Sequence, residues 1–183
     1  MTPAEFRLQI AALTEQLQGR PLDAGLDAWL NREHGVGSAT YEALSASCRT
    51  GVAEGWLADR EGGGIKYGRI FKPADDLHGF SVDVVDMAPP RWAAPSEAQP
   101  PRGDDGGTPA AGGEQDCVVG PHHSHPNGEI DLVMPVDGSD ARFDGRPAGW
   151  VVMPPGSAHK PTVTQGRALV LYLLPQGKID FTR

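Results

Sequence analysis

The chain has 183 residues, a length typical of one domain with a buried core. Its 16 Lys and Arg residues face 24 Asp and Glu residues, and the resulting formal net charge of -8 argues against nucleic-acid binding, because phosphate binding needs clustered cations. No run of about 18 apolar residues predicts a membrane span, and the N-terminus lacks the pattern of a signal peptide. With only two widely separated cysteines, Cys48 and Cys117, we expect a cytoplasmic protein with reduced thiols.

The first third of the chain, residues 2–57, is predicted to be helical. Residues 2–5, with the sequence Thr-Pro-Ala-Glu, form a capping box, and the apolar residues that follow recur at helical spacing until Gly19. Two further helices are expected at about 23–34 and 38–54, each with apolar residues along one face.

From residue 65 onward the pattern changes to the alternation of β-strands. The first strand is expected to place one set of side chains on one side: Ile65, Tyr67, Arg69 and Phe71. Further strands are predicted at 80–85, 117–123, 129–134, 149–153, 161–164 and 168–174. Turn signals such as Asp144-Gly145 separate them. Tyr172 in the last strand is interpreted as a core residue, with a catalytic role as the alternative. Short strands at this spacing favour a β-sandwich or barrel.

Residues 88–115 are rich in Pro and Gly and interrupt the run of strands. This composition cannot form a central strand and has little to bury, so we interpret the segment as a flexible insertion. The alternative is a lid over a functional site, with Arg91 and Trp92 as its notable side chains.

The pattern His123-x-His125-x₃-Glu129 is the strongest chemical signal in the chain. Residues two apart in a strand face the same side, so His123 and His125 present both imidazoles to one space. A Pro-Asn-Gly turn lets Glu129 face back from the start of the next strand, and His159, which follows a Pro-Pro-Gly turn and opens another strand, supplies a fourth candidate ligand. Neutral imidazoles and one carboxylate suit a borderline divalent cation. His122 has the opposite strand parity and is expected to point outward or to support the ligands from behind, with a ligand role as the alternative.

These motifs resemble the two motifs of the cupin superfamily, the second being the Gly-x₄-Pro-x-Gly-x₂-His pattern at 149–159. The sequence departs from that pattern at Gly120, which lies closer to the first His than usual, and at Val163, where cupins usually have Asn. The resemblance implies that His123, His125, Glu129 and His159 hold one metal ion, which could be Fe²⁺, Mn²⁺, Zn²⁺, Co²⁺ or Ni²⁺.

The implied fold is mainly β with N-terminal helices, an α+β class. A helical region at residues 1–60 would pack on a small antiparallel, cupin-type (jelly-roll-like) β-barrel at 61–183, with the insertion at 88–115.

The whole layout resembles a narrower group, the 4-hydroxylaminobenzoate lyase family of bacterial nitroaromatic degradation. The most characteristic stretches are HPNGEIDLVMP at 125–135 and PPGSAHKPTV at 154–163. The resemblance implies conversion of 4-hydroxylaminobenzoate to 3,4-dihydroxybenzoate (protocatechuate) and ammonia, and a homodimer is expected by resemblance to cupins. Loss of the N–O oxygen as water leaves an electrophilic aryl nitrogen species, to which water can add before ammonia is released. This change needs no net oxidant, in keeping with the lack of a nucleotide-binding motif and the expectation of no nucleotide cofactor.

The substrate carboxylate of such a reaction needs a cation, and Arg69 and Lys66 are the candidates. Tyr67 shares the strand face of Arg69 and is a candidate catalytic residue. Glu129 and Asp131 also share a face, so both are candidates for general acid or base chemistry. The alternative for Asp131 is a structural partner that orients a histidine, and the alternative for Arg69 and Lys66 is a solvated strand edge.

Two other functions fit the same metal-binding pattern. One is another cupin enzyme, such as an Fe(II) dioxygenase that cleaves an aromatic or thiol substrate. The other is a non-catalytic cupin that senses a metal or a ligand, although the acidic N-terminal region offers no basic recognition helix.

Overall fold

The structure is a computed structural model that describes residues 1–90, 92, 116–136 and 138–181. Residue 91 and residues 93–115, most of the predicted insertion, lie outside the described residues. Trp92, within that predicted insertion, is exposed.

The three predicted helices are confirmed, and polar side chains begin each one. Helix α1 spans Pro3–Leu17, α2 spans Ala24–His34 and α3 spans Ala39–Ala53. The capping box at the start of α1 has both of its hydrogen bonds, and Asp23 and Ser38 accept from backbone N–H groups in the first turns of α2 and α3. None of the described helices is long and apolar enough to cross a membrane.

Twelve short strands follow in the described residues. They are β1 Arg60–Gly62, β2 Ile65–Phe71, β3 Phe80–Met87, β4 Cys117–Val119, β5 His123–His125, β6 Glu129–Pro135, β7 Arg142–Phe143, β8 Gly149–Met153, β9 Ser157–His159, β10 Thr162–Thr164, β11 Ala168–Pro175 and β12 Asp180–Phe181. The strand predicted at 117–123 is two separate strands, and His159 ends β9, whereas we expected it to open a strand.

All strand pairs are antiparallel, and they form three sheets. A six-stranded sheet has the order β1-β2-β3-β11-β6-β8, and two three-stranded sheets have the orders β4-β10-β7 and β12-β5-β9. The expected α+β class, antiparallel strands after a helical region, is confirmed. Across the described residues the hydrogen-bonded strands form three sheets and not one closed ring.

The two faces of the six-stranded sheet carry separate cores. One face packs against the helices through a cluster that includes Val82, Val84, Ile130, Leu132, Leu171, Phe6, Ile10, Leu30 and Leu44. The other face packs against the small sheets through a cluster that includes Val133, Val151, Val170, Tyr172, Phe143 and Val163. Because side chains alternate along each strand, the residues of β6 that follow Glu129 by even steps all face the small sheets.

Helix α2 covers the free edge of β8 and so fixes the strand that pairs with Glu129. The side-chain amide of Asn31 accepts from the Trp150 N–H and donates to the Trp150 carbonyl, both at 2.9 Å. The carboxylate of Asp27 accepts from the Val152 N–H at 3.1 Å. These side chains replace the missing neighbour strand, which satisfies backbone groups that an exposed edge would leave open.

A β-bulge in β2 corrects one prediction. We expected Phe71 on the same side as Tyr67 and Arg69, but the register shifts between Arg69 and Phe71. Phe71 therefore pairs with Val82 and packs on the helical side, with its ring centroid 6.2 Å from that of Phe6. One extra residue in a strand reverses which face each later side chain occupies.

Candidate metal centre and substrate cavity

The four predicted metal ligands lie together. Strand β5 pairs with β9 so that His123 lies opposite His159, and Glu129, the first residue of β6, has Oε1 3.7 Å from His159 Nε2. One ligand atom from each of His123, His125, Glu129 and His159 lies within 4.8 Å of the others. His125 and Glu129 are fully buried, and His159 retains 12% side-chain exposure, so the cluster has one partly open side.

Two of the imidazoles are oriented by their outer nitrogens. The Nδ1 of His123 donates to the Pro121 carbonyl at 2.9 Å, and the Nδ1 of His159 lies 2.5 Å from a carboxylate oxygen of Asp144. A carbonyl and a carboxylate only accept, so in the neutral rings each Nε2 has a bare lone pair. These two Nε2 atoms face each other at 2.9 Å. Two lone pairs at this distance repel unless a cation lies between them.

His125 and Glu129 have no hydrogen-bond partner for their buried polar atoms. The Nδ1 of His125 lies 3.1 Å from Glu129 Oε2, but without hydrogen-bond alignment. Burial, together with the neighbouring His123 and His159, lowers the pKa of His125 to about 3. The imidazole is therefore neutral at physiological pH, the form that binds a metal.

The pKa values of two neighbouring carboxyl groups shift in the opposite direction. Burial, followed by the charge of Asp131, raises the pKa of Glu129, and burial raises the pKa of Asp131. Two carboxylates in so dry a site are costly unless a cation compensates them. The site thus combines neutral imidazoles with buried nitrogen and oxygen atoms that have no hydrogen-bond partner. This combination fits a divalent metal with three nitrogen ligands and one oxygen ligand.

A cavity of about 890 Å³ lies beside the cluster, with His123 in its wall. Tyr67 and Arg69 line it, as the alternation of β2 predicts. Lys66 is exposed and does not contribute to the lining of the described cavity. Of the predicted substrate-binding cations, the structure brings only Arg69 to the site.

Arg69 is held in place by a half-buried carboxylate, that of Asp83. Its Nε and one Nη donate to the two oxygens of Asp83 at 2.7 and 3.0 Å, and this bond raises the pKa of Arg69. Gly177 leaves room for the guanidinium, because a Cβ at that position would lie 3.0 Å from Arg69 Nη1. The guanidinium is thus fixed, and because it carries five N–H donors, donors remain beyond the two that bind Asp83.

A row of polar side chains begins in the cavity wall and continues across the sheet. Arg69 pairs with Asp83, Asp83 with Tyr172, and Tyr172 with Asp131, each on the next strand of the sheet. At about 4.8 Å per strand, Asp83 and Asp131 are roughly 10 Å apart along this row. Arg69 in the cavity wall is therefore at one end of this row, and the fully buried Asp131, two residues after Glu129, is at the other.

Sequence reasoning missed several contributors to this site, among them Asp83, which holds Arg69. Tyr172, interpreted as a core residue, is buried and also lines the cavity. Lys72 lines the cavity because the β2 bulge reverses the alternation after Arg69, which no local pattern indicates. Asp144 was recognised only as part of a turn, and its contact with His159 depends on tertiary structure.

Comparison with known proteins finds a matching family and relatives that cover most of the chain. The profile of the PnbB family, described as 4-hydroxylaminobenzoate lyase, matches residues 8–181. A 4-hydroxylaminobenzoate lyase of Pseudomonas putida is 31% identical over 172 residues, covering 91% of this chain and 88% of that protein. One from Nocardioides sp. (strain LMS-CY) is 29% identical over 186 residues, covering 98% and 95%. Among solved structures, a protein of unknown function with a cupin-like fold from Ralstonia eutropha JMP134 is 15% identical, with a TM-score of 0.37 over 64% of this chain and 63% of that one.

Proposed function

The chain belongs to the 4-hydroxylaminobenzoate lyase family, and on that premise we propose that it is a metal-dependent lyase that converts 4-hydroxylaminobenzoate to 3,4-dihydroxybenzoate and ammonia. The observation that carries the proposal is the convergence of His123, His125, Glu129 and His159 at the edge of a cavity whose wall also holds Arg69. A para-substituted benzoate has an anionic end and a reacting end, and the cavity offers a group for each.

The reaction balances without an oxidant. The hydroxylamino oxygen leaves as water when the N–O bond breaks, and the ring becomes electron-poor. One water adds at the carbon next to the nitrogen-bearing carbon, and a second hydrolyses the resulting imine to release ammonia. Tautomerisation then restores the aromatic ring as a catechol, so one water is consumed overall.

The four clustered side chains would hold the metal ion. When bound, a divalent ion supplies Lewis-acid stabilisation for a departing or attacking oxygen. Its identity among Fe²⁺, Mn²⁺, Zn²⁺, Co²⁺ and Ni²⁺ is left open by this donor set.

The chain's other residues orient the substrate and handle its protons. The unpaired N–H groups of Arg69 would bind the substrate carboxylate, and Lys72 adds a second positive charge to the same cavity. Tyr67 would donate a hydrogen bond from the cavity wall. Asp131, buried next to Glu129, would hold the proton that the departing oxygen takes up.

We further propose that the enzyme works as a homodimer in the cytoplasm. The dimer is inferred from the resemblance to cupins, and the location is supported by two free cysteines, Cys48 and Cys117.

The proposal is tested by incubating protein stripped with EDTA, and the same protein reloaded with each candidate metal, with 4-hydroxylaminobenzoate under nitrogen. We expect protocatechuate and ammonia in equal amounts from at least one reloaded form and none from the stripped form. Turnover that survives complete metal removal would contradict the metal dependence. Absence of product with every metal would contradict the lyase assignment.

A further inference from the structure

We propose that Asp144 is the positioning residue of the metal centre: its carboxylate fixes the ring of His159 so that Nε2 points into the cluster. The inference rests on the metal centre of the proposed function. Asp144 contacts no other ligand in the described hydrogen bonds, so its effect would pass through His159.

The turn that carries Asp144 aims its side chain at β10. Asp144 and Gly145 both have positive φ, 48° and 77°, in the tight turn after β7. The Asp144 N–H donates to the Thr162 carbonyl at 2.8 Å, and Asp144 Oδ1 accepts from the Thr162 N–H at 2.8 Å. Two reciprocal bonds to one backbone residue leave the carboxylate little freedom.

The second oxygen of this fixed carboxylate holds the imidazole. Asp144 Oδ2 lies 2.5 Å from His159 Nδ1, and the opposite nitrogen of the ring lies 2.9 Å from His123 Nε2 and 3.7 Å from Glu129 Oε1. The bond places the proton on Nδ1 and leaves Nε2 as the ligand atom. Metal-binding histidines commonly donate their other N–H to such a partner, and loss of the partner typically weakens metal binding by about 10- to 100-fold.

The equivalent anchor of His123 is the carbonyl of Pro121, which no substitution of a side chain removes. Asp144 is therefore the place where this anchoring can be tested by mutation.

The test variant is Asp144→Asn. Asn has the same size and tolerates positive φ, so the turn is retained. If its oxygen still accepts from the Thr162 N–H, its amide N–H₂ must face His159 Nδ1, and two donors then oppose each other. The ring can relieve this only by moving its proton to Nε2 or by turning away from the cluster.

The matched control is Asp27→Asn. Asp27 also accepts from a backbone N–H, that of Val152, and pairs with Arg146, but it contacts none of the four ligands. This substitution removes one structural carboxylate at the edge of the six-stranded sheet, to which the strand of Glu129 belongs.

Co(II) affinity is measured by competition with a chromogenic chelator. We expect Asp144→Asn to bind Co(II) about 10- to 100-fold more weakly than the wild type and to alter the visible Co(II) spectrum, while Asp27→Asn loses thermal stability but keeps the affinity. Equal Co(II) affinities of Asp144→Asn and the wild type would overturn the inference.

A second measurement uses the metal-free proteins at pH 8. Nitrogen-15 NMR of the histidine rings reports which nitrogen carries the proton. We expect His159 as the Nδ1–H form in the wild type, and a wild-type Nε2–H form would overturn the inference. A wild type that binds Co(II) but releases no protocatechuate contradicts the proposed lyase function and leaves the role of Asp144 intact.

Discussion

Replacing His125 with Ala should abolish the stabilisation that a bound metal confers. His125 is fully buried in the cluster, its pKa is lowered to about 3, and its ring nitrogens have no hydrogen-bond partner. A ligand that binds only the folded state stabilises it by about 2.7 kcal/mol when present at 100 times its Kd. For a domain of this size, each 1 kcal/mol raises the Tm by roughly 2–4 °C. The wild type should therefore melt about 5–11 °C higher with metal than with EDTA.

The measurement is thermal unfolding with EDTA and with metal, and the readout is the difference between the two Tm values. His125→Ala also opens a cavity and lowers both Tm values, but this cost cancels in the difference. We expect no metal-dependent shift in this variant. His122→Ala is the control, because His122 precedes β5 and lies outside the four-residue cluster, and it should keep the full shift. A full shift in His125→Ala, or its loss in His122→Ala, would refute the ligand assignment.

Three further outcomes are expected. Arg69→Lys keeps the charge but loses the planar guanidinium, so kcat/KM should fall about 10- to 100-fold, mainly through a higher KM. Steady-state kinetics with an unchanged kcat and KM would refute carboxylate binding by Arg69. Glu129→Gln should stabilise the metal-free protein, and its advantage over the wild type should grow as the pH rises above 4.5. The reason is that burial raises the pKa of Glu129 in the folded state, so wild-type stability that is present below the unfolded pKa is lost as the pH rises. Urea unfolding of both proteins in EDTA at pH 5 and pH 8 tests this, and the same stability difference between variant and wild type at both pH values would contradict it. Asn31→Ala leaves the Trp150 backbone groups without partners and should cost about 1–3 kcal/mol, and an unchanged urea midpoint would show that this edge needs no cover.

The helices and the candidate metal ligands could be predicted from the sequence because their signals are local. A capping box, helical spacing and a strand period of two each depend on residues a few positions apart. His123 and His125 share a face for that reason, and Glu129 follows after one turn. Only His159 is distant along the chain; its turn and strand position made it a candidate, and the resemblance to cupins added the second motif that contains it.

The features that were missed depend on the register between strands. The bulge after Arg69 turns Phe71 to the helices and brings Lys72 to the cavity, and it exists only relative to β3. Asp144 reaches His159 because its turn packs on Thr162, a contact across 18 positions. Local composition marks Asp144 as a turn residue and carries no information about what its carboxylate contacts.

The source of the two phenolic oxygens tests the central claim most directly. Metal-loaded protein is incubated with 4-hydroxylaminobenzoate under nitrogen in oxygen-18-labelled water, and protocatechuate is analysed by mass spectrometry while ammonia is quantified. Because the hydroxylamino oxygen departs and two waters enter, we expect both phenolic oxygens to be labelled and one ammonia to form per protocatechuate. A product that retains the original hydroxylamino oxygen, or that forms only when O₂ is admitted, would contradict hydrolytic deamination at this site.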